Sequence, residues 1–208
     1  DALFTHQPSP TNEKPVILYC STFSKRLTST HALFPYIKQL STQTKWQWLI
    51  QFHPKMDKHV VQQYRSLEND NLSFIETDDI TELLLQSDVM VCDTSSVIPM
   101  FLLLNKPVVS YKNISPGPYL IDIKSPEDLE PSIQYAISHP EALMKKIESY
   151  NQHIHPYRDG KSAERVVNAI DEVLAGIMPV TRRSVSIHAR NILKNIKYRR
   201  RLNYWKFW

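Results

Sequence analysis

The chain has 208 residues, 42% of them apolar, with 25 Lys and Arg against 21 Asp and Glu and a pI near 9.0. That apolar share supplies one substantial core and excludes a disordered chain, while no apolar run approaches the roughly 20 residues of a membrane span. Three glycines and two cysteines exclude the glycine-loop nucleotide signatures GxGxxG and GxxxxGK[ST] and a disulfide framework.

Residues 1–15 hold three prolines and no helical or strand period, and read as a linker from an upstream domain. Residues 16–22, VILYCST, form a buried-strand run, followed by a polar loop and a helical pattern over 30–41. The next strand is expected at 45–52, ended by His53-Pro54, with a helix over 57–67 and a third strand at 72–75. A short helix over 79–86 leads into a strand at 88–92, then an apolar helix over 96–104 and a fifth strand at 107–111. Ser115-Pro116-Gly117-Pro118 is a rigid turn, and helical spacing resumes over 126–137, 140–150 and 162–175. Strands alternating with helices predict an α/β, Rossmann-like, doubly wound and mainly parallel sheet over 16–178, with a basic tail over 179–208. Cys20 and Cys92 both fall in strand runs and read as buried thiols, in keeping with a reducing compartment.

In such sheets ligands gather beyond the carboxyl ends of the strands. The residues there are polar: Ser21, Thr22, Ser24 and Lys25 after the first strand, His53 and Lys55 after the second, Asp93-Thr94-Ser95-Ser96 after the fourth, Lys112 and Asn113 after the fifth. Hydroxyls, free backbone N–H groups and a helix start in the Asp93 to Ser96 turn suit an anion such as a diphosphate; the same residues also suit plain helix capping. His53, pinned by Pro54 at the rim, can donate to a phosphate, move a proton, or satisfy a backbone carbonyl. No Cys, His or carboxylate spacing matches a zinc site, and no carboxylate pair is suited to a metal ion.

The order of these motifs resembles the CDP-glycerol glycerophosphotransferases, the polymerase and primase family of teichoic-acid synthesis. The likeness is carried by ILYCSTF, FHP, LLLQSDVMVCDTSSVIPMFLLLNKPVV, the Pro-Gly-Pro turn and a late Asp-Gly-Lys-x-x-Glu-Arg-Val segment beginning at Asp159. The resemblance implies the C-terminal, donor-nucleotide-binding half of a GT-B fold whose acceptor-binding N-terminal domain lies elsewhere. It implies transfer of glycerol phosphate, or a related alditol phosphate or sugar, from a CDP-linked donor to a cell-surface polymer, without a cofactor or metal. His53 is then the catalytic residue, and Thr22, Lys55, Asp93, Thr94, Ser95, Ser96, Asp159 and Lys161 bind the donor nucleotide and its phosphates. The isolated fragment is expected to be inactive.

The loop Ser-Thr-Phe-Ser-Lys-Arg-Leu-Thr departs from the Pro-Thr-Trp/Phe-Arg type frequent in that family. A similar Ser-Asp to Asp-Thr/Ser-Ser/Gly pattern occurs in UDP-N-acetylglucosamine 2-epimerases and other sugar-nucleotide transferases, so those readings stay open beside a non-catalytic nucleotide- or polymer-binding module.

Residues 182–208 contain nine of the 25 Lys and Arg and none of the 21 Asp and Glu, so the body of the chain is net acidic. Residues 184–196 carry Val185, Ala189, Ile192, Leu193 and Ile196 at helical spacing, followed by Arg199, Arg200 and Arg201 and by Trp205 and Trp208 among cations. Interleaved aromatics and cations suit an anionic membrane surface or contact with the N-terminal domain better than nucleic acid. The expected location is cytoplasmic, peripheral at the inner face of the cell membrane.

Overall fold

The computed structural model describes residues 13–179, so most of the expected linker, and the tail residues Arg199, Arg200, Arg201, Trp205 and Trp208, lie outside the described residues. Six strands, β1 (Val16–Ser21), β2 (Gln47–Phe52), β3 (Leu72–Phe74), β4 (Val89–Cys92), β5 (Val108–Tyr111) and β6 (Ile121–Ile123), form one sheet in the order β3-β2-β1-β4-β5-β6. Every pairing is parallel. β1 lies between β2 and β4, with Leu18 beside Leu49 on one side and Met90 on the other. A strand flanked on both sides and covered on both faces reads as continuous apolar sequence, and all six β1 residues are buried.

Among the described residues, seven helices and a 3-10 turn (Pro126–Asp128) connect and follow the strands: α1 (Thr30–Ser41), α2 (Lys58–Arg65), α3 (Thr81–Gln86), α4 (Ile98–Leu103), α5 (Leu129–Ile137), α6 (Glu141–Ile154) and α7 (Ser162–Leu174). The pleat divides their work. Ile17 and Tyr19 of β1 face a core containing Leu33 and Ile37 of α1, Val60 and Tyr64 of α2, and Leu129 and Ile133 of α5. Val16, Leu18 and Cys20 face the opposite core, with Leu84 of α3, Phe101 and Leu102 of α4, and Leu143 and Ile147 of α6. Helices on both faces of a parallel sheet make this the doubly wound α/β architecture the sequence predicts.

Local chemistry sets the element ends. Asp57 caps α2 by accepting the His59 N–H at 2.8 Å. The Lys106 ammonium donates to the carbonyls of Leu84, Leu85 and Ser87 at 2.6–2.9 Å and closes the end of α3. Burial lowers the pKa of that ammonium, and nearby Asp88 partly opposes the shift. Gly117 lies against the Tyr119 ring with no room for a Cβ, and that ring stacks on Tyr150 at 3.9 Å.

Two differences from expectation lie near the fourth and fifth strands. The segment after the Pro-Gly-Pro turn contains β6, a three-residue edge strand too short to show a period. The helix expected from residue 96 begins at Ile98, with Pro99 in its first turn, which lengthens the turn after β4. The chain divides into two compact units between Lys161 and Ser162, ahead of α7. No helix among the described residues is long and apolar enough to cross a membrane.

Candidate functional site

The strand order reverses direction at β1 and β4, and the crevice beyond their carboxyl ends is where ligands of such sheets bind. A cleft of about 300 Å³ occupies that place. Ser21 at the end of β1 with Thr22 and Phe23 after it, His53 and Pro54 after β2, Thr77 and Asp78 after β3, and Thr94, Ser95 and Ser96 after β4 line it. Residues up to 75 positions apart in sequence thus meet because four strands end on one edge. A wider groove of about 590 Å³ shares His53, Pro54, Thr77 and Asp78 and continues along α2 and β3, but carries none of the hydroxyl turn.

Asp93 organises the cleft from beneath. Its side chain is fully buried, and Oδ2 accepts from Ser21 Oγ at 2.5 Å, Ser29 N at 2.8 Å and Ser29 Oγ at 2.9 Å, while Oδ1 accepts from Thr22 N at 3.0 Å. Asp93 was expected to bind the ligand; both its oxygens are instead used to hold the loop after β1. That loop is further knitted by Thr28 Oγ1, 2.9 Å from both Ser21 Oγ and Thr30 Oγ1. The Tyr19 hydroxyl meets Ser29 Oγ at 2.9 Å beneath it, and burial pushes its pKa up. Burial likewise raises the Cys20 and Cys92 thiols, which keeps them un-ionised and unreactive.

The turn above Asp93 is braced from a third side. Asn113 Nδ2 donates to the Asp93 carbonyl at 2.8 Å, and the Ile114 N–H donates to Thr94 Oγ1 at 3.2 Å. Asn113 is itself fixed because its N–H donates to Asp122 Oδ1 at 2.9 Å, beside the Ser110 hydroxyl at 2.8 Å. Ser95 Oγ accepts the Val97 N–H at 3.2 Å, which leaves its hydroxyl hydrogen to donate into the cleft it lines, and Ser96 is exposed.

His53 is exposed on the opposite wall. Its Nδ1 accepts the Lys55 backbone N–H at 3.0 Å, so the neutral ring carries its proton on Nε2 and offers the cleft a donor. Its ring lies 4.7 Å from that of Phe23. The Lys55 ammonium stands 5.8 Å over the same phenylalanine, at the edge of the cleft.

The structure therefore brings Thr22, His53, Thr94, Ser95 and Ser96 together around one space, with Lys55 beside it. Asp159 and Lys161 do not line that cleft; the Asp159 carboxylate accepts the Lys161 N–H at 3.2 Å in the turn before α7. Lys112, at the rim in the sequence reading, rests its ammonium 5.0 Å over the Tyr111 ring and is also outside the lining. Phe23, Gln51, Thr77 and Asp78 also line the cleft, beyond the residues the sequence patterns mark. Phe23 was visible within the first loop, whereas the other three enter through pairings that no local pattern reveals. Among the described residues no group of three or more His, Cys, Asp or Glu could hold a metal ion.

Comparison with known proteins adds a family to this geometry. The sequence model of the CDP-glycerol:poly(glycerophosphate) glycerophosphotransferase family matches residues 2–113, more than half the chain. The chain is 30% identical over 194 residues to the teichoic acid poly(ribitol-phosphate) polymerase of Bacillus spizizenii, a match covering 82% of this chain and 30% of that protein. It is 25% identical over 181 residues to the teichoic acid glycerol-phosphate primase of Bacillus subtilis, covering 78% and 45%. The chain thus spans less than half the length of these curated relatives. Among solved structures, the wall teichoic acid polymerase TagF superposes with a TM-score of 0.59 at 16% identity, over 81% of this chain and 46% of that one. The MnaA–UDP co-structure from S. aureus gives 0.56 at 16% identity, over 82% and 48%. At these identities the structural likeness is one of fold, the GT-B type.

Proposed function

The chain belongs to the CDP-glycerol:poly(glycerophosphate) glycerophosphotransferase family, and from that premise we propose that it carries the donor-binding half of a transferase acting on a CDP-linked alditol phosphate. The observation that supports this reading most directly is the hydroxyl turn Thr94-Ser95-Ser96 facing Thr22 and His53 across one cleft at the switch point of the sheet. Hydroxyls, backbone N–H groups, an imidazole donor and the Lys55 ammonium at its edge form an environment for a diphosphate. An apolar ligand would leave those groups unpaired.

In the reaction proposed, an acceptor hydroxyl on a growing polymer attacks the phosphorus that bears the glycerol. The new O–P bond forms as the bond to CMP breaks, CMP leaves as a phosphate monoester whose oxygen keeps the electron pair of that bond, and the hydroxyl proton passes to solvent. His53 contributes as a donor through Nε2–H, stabilising charge on the transferring or leaving phosphate; with Nδ1 engaged, it is not arranged to receive the hydroxyl proton. The hydroxyl turn holds the diphosphate in ground and transition states alike. The acceptor is bound by a further domain outside this chain, so the chain alone binds donor without transferring it. The basic residues 182–208 place the enzyme on the anionic inner face of a membrane.

Calorimetry with CDP, UDP and CDP-glycerol tests the reading on this chain as it stands. Binding of the cytidine ligands is expected. Failure of all three to bind rejects the donor site, and a clear preference for UDP moves the chain to the sugar-nucleotide class.

A further inference from the structure

We propose that Phe23 is a positioning residue for His53, holding the imidazole so that its Nε2–H serves the cleft as a donor to an anionic phosphate oxygen. The nature of that ligand rests on the donor reading above; the positioning rests on geometry alone.

Two restraints act on the His53 ring. The Lys55 backbone N–H donates to Nδ1 at 3.0 Å and commits that lone pair, so in the neutral ring only Nε2 has a proton to offer. One hydrogen bond still allows the ring to rock about the bonded nitrogen. Phe23 supplies the second restraint, with ring centroids 4.7 Å apart and planes inclined by 39°. Off-parallel contact at this distance opposes rocking on that side of the imidazole.

Phe23 is not fixed by burial, since its side chain is 44% exposed. It is fixed through its backbone. Its neighbour Thr22 donates its N–H to Asp93, and Ser21 and Ser29, on either side of it in sequence, both donate to the same carboxylate. The loop carrying the ring is therefore tied to β4 before and after Phe23. The Lys55 ammonium lies 5.8 Å over the same ring, so a cation and an imidazole share one aromatic platform at the cleft's edge. A half-exposed phenylalanine on a polar loop gains little from burial; holding these two phosphate-directed groups gives its ring a use.

A ring lining a nucleotide cleft could instead stack on the base, and the two uses separate experimentally. Wild type, Phe23→Leu and Phe23→Tyr would be compared by the ring ¹⁵N and ¹H signals of His53 without ligand, and by calorimetry with inorganic pyrophosphate and with CDP. The wild type is expected to show a single Nε2–H tautomer. Phe23→Leu, which keeps apolar bulk without a ring, is expected to leave the tautomer in place, to broaden the His53 ring ¹⁵N signals as the imidazole rocks about its bonded nitrogen, and to weaken both probes equally, by about fivefold, because the donor is loosened rather than removed. Phe23→Tyr restores both properties, and the exposed position leaves the thermal midpoint unchanged in all three.

His53 ring ¹⁵N line widths in Phe23→Leu that match the wild type overturn the positioning role. Loss of CDP affinity with pyrophosphate affinity intact overturns it too, and assigns the ring to the base. A wild type that binds neither probe, but whose His53 signals depend on Phe23, supports the positioning and rejects the donor reading.

Discussion

Ser29 donates twice to Asp93, its backbone N–H at 2.8 Å and its Oγ at 2.9 Å both meeting Oδ2. With Ser21 Oγ and the Thr22 N–H on the same carboxylate, the contact fastens the loop after β1 to the end of β4 in a fully buried place. Removing the acceptor leaves several donors without partners, each costing about 1–3 kcal/mol. Asp93→Ala should therefore lower the unfolding free energy by about 3 kcal/mol or more in urea titrations. A variant as stable as the wild type would show that the carboxylate is not the fastening.

Ser95 and Ser96 bear on the ligand rather than on the fold. Ser95 Oγ already accepts the Val97 N–H and has only its hydrogen to give, and Ser96 is exposed. A hydrogen bond to a charged phosphate contributes about 1.5–3 kcal/mol, so each alanine variant should weaken CDP binding about tenfold to hundredfold with little change in stability. Calorimetry on the purified chain reads this directly. Unchanged affinity in both variants would remove the hydroxyl turn from the donor site.

Glu127 gives a pH signature on a surface away from the cleft. Hydrogen bonds from the Ser125 hydroxyl and then from the Tyr36 hydroxyl, the latter at 2.6 Å, hold its pKa at about 2 against an ordinary 4.5. A carboxyl depressed in the folded state adds stability above its unfolded pKa and loses it as pH falls through the folded one. Glu127→Gln should therefore be less stable than the wild type near neutral pH, and the two melting curves should converge between about pH 4.5 and pH 2. A constant gap across that window would show that the carboxylate's charge plays no part.

Residues 182–208, with nine cations, five aromatics and no acid, should bring the chain down with anionic vesicles. Each cation near such a surface contributes up to about 1 kcal/mol, and the attraction is screened by salt. Sedimentation of the full chain should fall steeply as salt rises, and a chain ending at Pro179 should stay in the supernatant. Equal sedimentation of the two would reject membrane contact by these residues.

The sequence was most readable where one residue type has one physical use. Apolar runs such as VILYCS and VMVC mark buried strands because parallel strands are covered on both faces, and the helical spacing of 30–41 matches α1 end to end. β6 escaped because three residues of an edge strand, with Asp122 in the middle, carry no period. The part Asp93 plays in the loop after β1 is hidden for a different reason. Adjacent to Thr94 and Ser95 in sequence, it looks like part of their turn, and only the pairing of β1 with β4 shows that its carboxylate points below the turn to Ser21 and Ser29. Gln51, Thr77 and Asp78 were invisible on the same account, since their place in the cleft depends on which strands end side by side.

The lips of the cleft are not independent parts. Asp93 and Thr94 are consecutive: the first holds the loop bearing Thr22 and Phe23, while the second accepts from Ile114 and opens the hydroxyl turn. Loop, turn and the Asn113 brace are thus held by hydrogen bonds within the protein. A phosphate entering the cleft meets donors already in place, so little conformational entropy is left to lose on binding. The site is preorganised by a buried carboxylate that is no part of the cleft's lining.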